Sequence, residues 1–239
     1  FNQDVSNLPP YLTHLTFGAH FNKDVSNLPP MLVHLTFGYY FNQDISKLPP
    51  FITHLTFGDY FNQNISKLPS FITHLTFGDC FDKDVSNLPL FITHLTFGDC
   101  FNQDISALSQ TITHLILGTK FEQQYNIPSN IKYLKLDSNN KCIIDSLPNS
   151  IVELELDYNF ILEINNLPTS IKILKFNKRS YYNADLNCLP NFIEELQLNS
   201  NYKKQILNIP SNLKKLTCDK NYPYINDFLA LNIEVSTFH

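Results

Sequence analysis

The chain has 239 residues, 43% hydrophobic and 16% charged, which supplies a sizeable core and excludes a disordered polymer. A formal net charge of -5 gives no global attraction to nucleic acid or to an anionic membrane, so neither is expected as a partner. No apolar run approaches the roughly 18 residues that span a bilayer, and no charged-then-apolar leader opens the chain. The five cysteines form no CxxC pair and leave one over from full pairing, which points away from a zinc site or disulfide framework and toward reduced thiols in a cytoplasmic setting.

Residues 51–80, FITHLTFGDY FNQNISKLPS FITHLTFGDC, state one motif twice. Aligned on LxxLxF, the motif places a first strand residue at Leu12, Leu32, Ile52, Ile72, Ile92 and Ile112, then at Ile131, Ile151, Ile171, Ile193, Leu213 and Ile233. These twelve units lie 20 residues apart, save one step of 19 and one of 22. A unit this short cannot bury its own apolar face, so the period predicts one solenoid over 1–239, with short parallel strands on the concave face. Leu-Pro pairs such as Leu28-Pro29 in a return path of a 20-residue turn leave little room for a real helix, so the convex side is predicted to be extended or single-turn 3-10 backbone.

Fixed columns follow from the fixed period. All six glycines (Gly18, Gly38, Gly58, Gly78, Gly98, Gly118) stand just after the strand, where the second half has Asp137, Asp157, Asn177, Asn199 and Asp219. This choice of residues predicts a turn with positive φ. Phe17, Phe37, Phe57, Phe77 and Phe97 form one aromatic column, and Phe1, Phe21, Phe41, Phe61, Phe81, Phe101 and Phe121 a second, together a stacked phenylalanine core.

The run Phe57-Gly58 followed by Phe61-Asn62, closing an LxxLxF strand, resembles the FNIP-type leucine-rich repeats of social amoebae and large DNA viruses. The resemblance covers 1–121. Over 122–221 the units are similar to more ordinary leucine-rich repeats, with Asn139, Asn159, Asn201 and Asn221 at the position of that family's asparagine ladder and Arg179 departing from it. In the first half Asn2, Asn22, Asn42, Asn62 and Asn102 are expected to take over that polar duty. Residues 222–239 read as an irregular C-terminal unit or cap. The resemblance implies a protein-interaction protein, and in some members an N-terminal F-box that this sequence does not contain. The LPxxL units are also similar to repeats of bacterial effectors.

The candidate functional residues are His14, His34, His54, His74, His94 and His114, two after the first strand position, with Thr36, Thr56, Thr76 and Thr96 beside them and Tyr133 next in the histidine column. They predict a histidine ladder on the concave face, a partner-binding strip without metal or cofactor, since threonine rather than carboxylate or thiolate surrounds it. Imidazolium neighbours about 5 Å apart repel by roughly 1 kcal/mol in water, so lowered pKa values are expected along the row.

In the second half the strand face alternates by unit: Lys132 and Lys135, Glu153 and Glu155, Lys172 and Lys175, Glu194 and Glu195, Lys214 and Lys215, which predicts cross-strand ion pairs. The long step around Arg179-Ser180-Tyr181-Tyr182 predicts a protruding loop. Asp4, Asp24, Asp44, Asp84 and Asp104, each two before a serine (Ser6, Ser26, Ser46, Ser86 and Ser106), predict local turn capping rather than calcium binding. No phosphate loop, nucleophile elbow or HExxH motif occurs. The sequence thus reads as a non-enzymatic scaffold for an unknown protein partner. The alternatives are a self-associating solenoid, dimeric through its ends, and the substrate-recognition part of an F-box adaptor.

Overall fold

The computed structural model describes residues 5, 7–124 and 126–238; Phe1, Asn2, Asp4 and Ser6, members of the columns above, lie outside this set. The chain forms two compact units, residues 1–128 and 129–239.

In the first unit six short strands follow in chain order: β1 (His14–Thr16), β2 (His34–Thr36), β3 (His54–Thr56), β4 (His74–Thr76), β5 (His94–Thr96) and β6 (His114–Leu117). Each pairs in parallel with the next in unshifted register, so His54 stands between His34 and His74, and Leu55 between Leu35 and Leu75. The leucine is buried and the flanking histidine and threonine half-buried, because a three-residue strand turns its middle side chain to the core and the outer two to solvent. The second unit repeats the plan with β7 (Tyr133–Leu136), β8 (Glu153–Leu156), β9 (Ile173–Phe176), β10 (Glu195–Gln197), β11 (Lys215–Asp219) and β12 (Glu234–Phe238).

The phenylalanine columns form the core of the first unit. Phe61 is fully buried, its ring 3.8 Å from that of Phe57 and 6.1 and 6.2 Å from those of Phe41 and Phe81. Offset stacking at this spacing suits the ring quadrupoles as well as the area burial. In the second unit Phe160, Tyr182, Tyr202 and Tyr222 continue the motif, all buried.

The return path is made of single i to i+3 turns, such as Leu48 N–H to Ile45 C=O and Leu68 N–H to Ile65 C=O. Two five-residue helices depart from the expectation of no helix. α1 (Lys141–Asp145) starts where the Asn140 side chain accepts from the Cys142 N–H, and α2 (Ile225–Leu229) buries Phe228. Neither has proline in the way, and no helix among the described residues is long and apolar enough to cross a membrane.

The glycine column needs correction. No described glycine has positive φ, and the one positive value belongs to Asn232, at 59°. The column requires glycine because consecutive turns touch. A Cβ on Gly58 would sit 2.1 Å from the Gly38 carbonyl oxygen, and one on Gly78 would sit 2.5 Å from the Gly58 carbonyl and from Asp59 Cα. In the second unit the aspartate and asparagine column fits a different backbone, in which Asp157 and Asn177 continue the strand ladder by donating N–H to Leu136 and Leu156.

The expected polar ladder forms. The backbone N–H groups of Asn42, Asn62, Asp82, Asn102 and Glu122 each donate to the side-chain oxygen one repeat earlier, at 2.9–3.1 Å, so Asp82 serves where asparagine is missing. Gln43, Gln63 and Gln103 add side-chain donors to the same oxygens, a column the sequence reading passed over. The aspartate–serine turns form as expected, with Ser46 donating backbone N–H and hydroxyl to Asp44. The serine bonds hold the carboxyls of Asp24, Asp44 and Asp84 below the usual range.

Candidate functional site

On the solvent face of the first unit the histidine column is a continuous stack. Ring centroids from His14 to His114 lie 4.0–4.3 Å apart and within 18° of parallel. Each ring except that of His34 has the hydroxyl of the preceding threonine beside Nδ1, at 2.8–3.0 Å from Thr13, Thr53, Thr73, Thr93 and Thr113. Val33 breaks the threonine row at His34.

The threonines tie the rings to the neighbouring strand. The carbonyl of Thr53 accepts the backbone N–H groups of both Thr73 and His74, at 2.8 and 3.1 Å. The Thr73 hydroxyl also donates to that carbonyl, at 3.2 Å, and lies 3.0 Å from Nδ1 of His74, so it links ring and backbone. Thr36, Thr56, Thr76 and Thr96 form a second column two residues on, and it ends at Ile116, paired with Thr96.

His34, His54, His74 and His94 are held below the ordinary imidazole range, first by burial and second by the charge of neighbouring rings. The direction matches the sequence reading, but burial outranks mutual repulsion. With folded values depressed, the unfolded chain binds more protons, so this contribution to stability is complete above about pH 6.5 and declines as pH falls through the folded values. The urea midpoint of the chain should drop on acidification below about pH 6.5, and the drop should be smaller in a variant with glutamine at these four positions. A midpoint that rises on acidification would contradict the assignment.

Tyr133 starts β7 of the second unit, where its hydroxyl donates to Glu155 at 3.0 Å, and burial raises its pKa. That face is charged and self-neutralising. Lys135 meets Glu155 and Asp157 at 2.9 and 2.7 Å, Lys175 meets Glu153 at 2.5 Å, and Lys172 and Lys214 both meet Glu194, at 3.0 and 2.6 Å. Lys135→Met would leave Glu155 and Asp157 facing each other with no cation between them. It should cost about 1 kcal/mol of unfolding free energy, read by urea denaturation, with little effect if the pair is only a solvated contact.

The expected loop at Arg179–Tyr182 is half core. Tyr181 is exposed, whereas Ser180 and Tyr182 are buried, the Tyr182 ring 4.3 Å from that of Phe176.

One feature of the first unit was missed in sequence. Phe51, Phe71 and Phe91 lie exposed beside the strip, and their signal was available: in "FI" at each strand entrance, two consecutive apolar residues cannot both face inward.

The FNIP Repeat family matches residues 1–40, 41–80, 123–159 and 182–220. Among solved structures, CroV588, a novel circular leucine-rich-repeat protein of a giant virus, is 34% identical at a TM-score of 0.72 over 98% of this chain and 35% of its own length. This chain thus spans about a third of that protein. Two Listeria monocytogenes proteins share the fold at lower identity. The internalin InlF is 14% identical at a TM-score of 0.56 over 95% of this chain and 82% of its own. The functional domain of InlJ, which includes a cysteine ladder, is 15% identical at 0.53 over 90% and 56%. No curated protein matches. With four family segments on a parallel solenoid whose buried phenylalanines stack in register, the chain belongs to the FNIP repeat family.

Proposed function

We propose that the chain is a non-enzymatic protein-interaction scaffold that holds another protein on the His/Thr strip of its first unit. Repeat families of this fold typically serve as scaffolds, which supports the class of function. The observation that carries the location is the unshifted pairing of five identical His-Leu-Thr strands, β1 to β5. It sets two rows of hydrogen-bonding side chains at one spacing on a rigid sheet. Such a surface meets a partner at little cost in side-chain ordering, because stacking and threonine contacts already hold the rings.

The test is an affinity capture from host cytosol comparing wild type with a variant carrying alanine at His34, His54, His74 and His94. Circular dichroism first establishes that the variant is folded. A protein retained by wild type and lost from the variant is the expected result. Equal retention would move recognition off the strip, and recovery of nothing but the chain itself would favour self-assembly.

A further inference from the structure

The exposed aromatics give the strip a ligand chemistry. Phe51, Phe71 and Phe91 are 52%, 51% and 59% exposed, with ring centroids 6.5 and 6.4 Å apart and nearly parallel. With Thr53 and Thr73 they wall an open, apolar groove of about 520 Å³ along the edge of the strip. Three stacked phenylalanines left in water mark a surface that another molecule covers.

Charge says what kind of molecule. Residues 1–128 carry ten acidic and five basic side chains, a balance of -5, whereas residues 129–239 carry twelve of each, a balance of zero. At the far end of the strands, just past the glycines, stands a row of carboxylates, the half-buried Asp59 and the exposed Asp79 and Asp99. Burial raises the pKa of Asp59, and the charge of Asp79 raises it further. Every ion pair among the described residues lies in the second unit.

We propose that this face binds an extended segment of another protein in which apolar residues alternate with lysine or arginine, the apolar ones on the phenylalanine row and the basic ones toward the aspartates. This rests on the reading of the strip as a recognition surface and adds the chemistry of its partner. Alternate side chains of an extended chain recur at about 6.6 Å, close to the ring spacing, so a segment crossing the strands meets successive rings in step. Its backbone polar groups then lie over the imidazole nitrogens and threonine hydroxyls of the strip. A second copy of the chain would set the same excess of negative charge against itself, and nucleic acid would be repelled likewise.

The probe is a fluorescein-labelled peptide of about ten residues alternating leucine and lysine, titrated with the whole chain at low salt and read by anisotropy. Leucine–glutamate and serine–lysine peptides of equal length serve as controls. Saturable binding of the leucine–lysine peptide is expected, with both controls at least about tenfold weaker. The triple variants F51S/F71S/F91S and D59N/D79N/D99N should each weaken it about tenfold, and the second should also flatten its salt dependence. Both variants change partly exposed groups and should retain the wild-type circular dichroism spectrum at the assay temperature. Equal binding of the leucine–glutamate peptide, or undiminished binding by the phenylalanine variant, would overturn the proposal. If the histidine variant loses its captured partner while the phenylalanine and aspartate variants keep theirs, this ligand chemistry is wrong and the strip reading stands. If the histidine variant keeps its partner, the strip reading fails whatever the peptides do.

Discussion

Phe61→Ala should lower the unfolding free energy by about 3–5 kcal/mol. The ring is fully buried, touches Phe57 at 3.8 Å and stacks on both neighbours in its own column, so its loss opens a void between three repeats. A solenoid cannot collapse into such a void without breaking the register of the adjoining turns, which keeps the cost at the upper end for a large-to-small change. Phe51→Ala is the matched control, the same chemical change on a ring that is half exposed, and should cost less than about 1 kcal/mol. Urea denaturation of the two variants decides the point, and equal shifts would contradict a load carried by the buried column.

Gly78→Ala should destabilise by about 1–3 kcal/mol through overpacking, although the same change in an open loop is commonly neutral or stabilising. The added methyl would stand 2.5 Å from Asp59 Cα and from the carbonyl of Gly58, backbone atoms that cannot move without shifting a neighbouring turn. Gly78→Asn separates this cause from a left-handed backbone. Asparagine tolerates positive φ, so a positive-φ turn would accept it better than alanine. Close approach penalises any Cβ, so here Asn should be at least as damaging as Ala. Thermal midpoints of the two variants distinguish the accounts, and a mild Asn with a severe Ala would contradict close contact.

That pair of variants also shows where the sequence was legible and where it was not. The 20-residue period, the phenylalanine columns and the first-half polar ladder were plain, because each depends only on one residue type recurring in step. The reason for the glycines was not, since positive φ and backbone contact select the same residue and only coordinates separate them. Phe51, Phe71 and Phe91 were hidden by their company: phenylalanine beside isoleucine at a strand entrance reads as core until one asks which side each faces. Tyr182 was read as part of an insertion, yet it supplies the ring that Phe160 supplies one repeat earlier, the two extra residues being absorbed in the turn before it. The histidine row was legible as a stack with lowered pKa values, but that burial outranks mutual repulsion in lowering them is something pattern alone does not weigh.

The central claim, that a partner sits on the solvent face of the first unit's strands, is tested most directly by site-specific photo-crosslinking. Benzoylphenylalanine is placed either at Thr76, within the strip, or at Ser66, exposed on the return path. The complex captured from cytosol is then irradiated and the adduct sized. The account predicts a covalent adduct with the partner from position 76 and none from position 66. An adduct from 66 with none from 76 would place the partner on the opposite wall and contradict it.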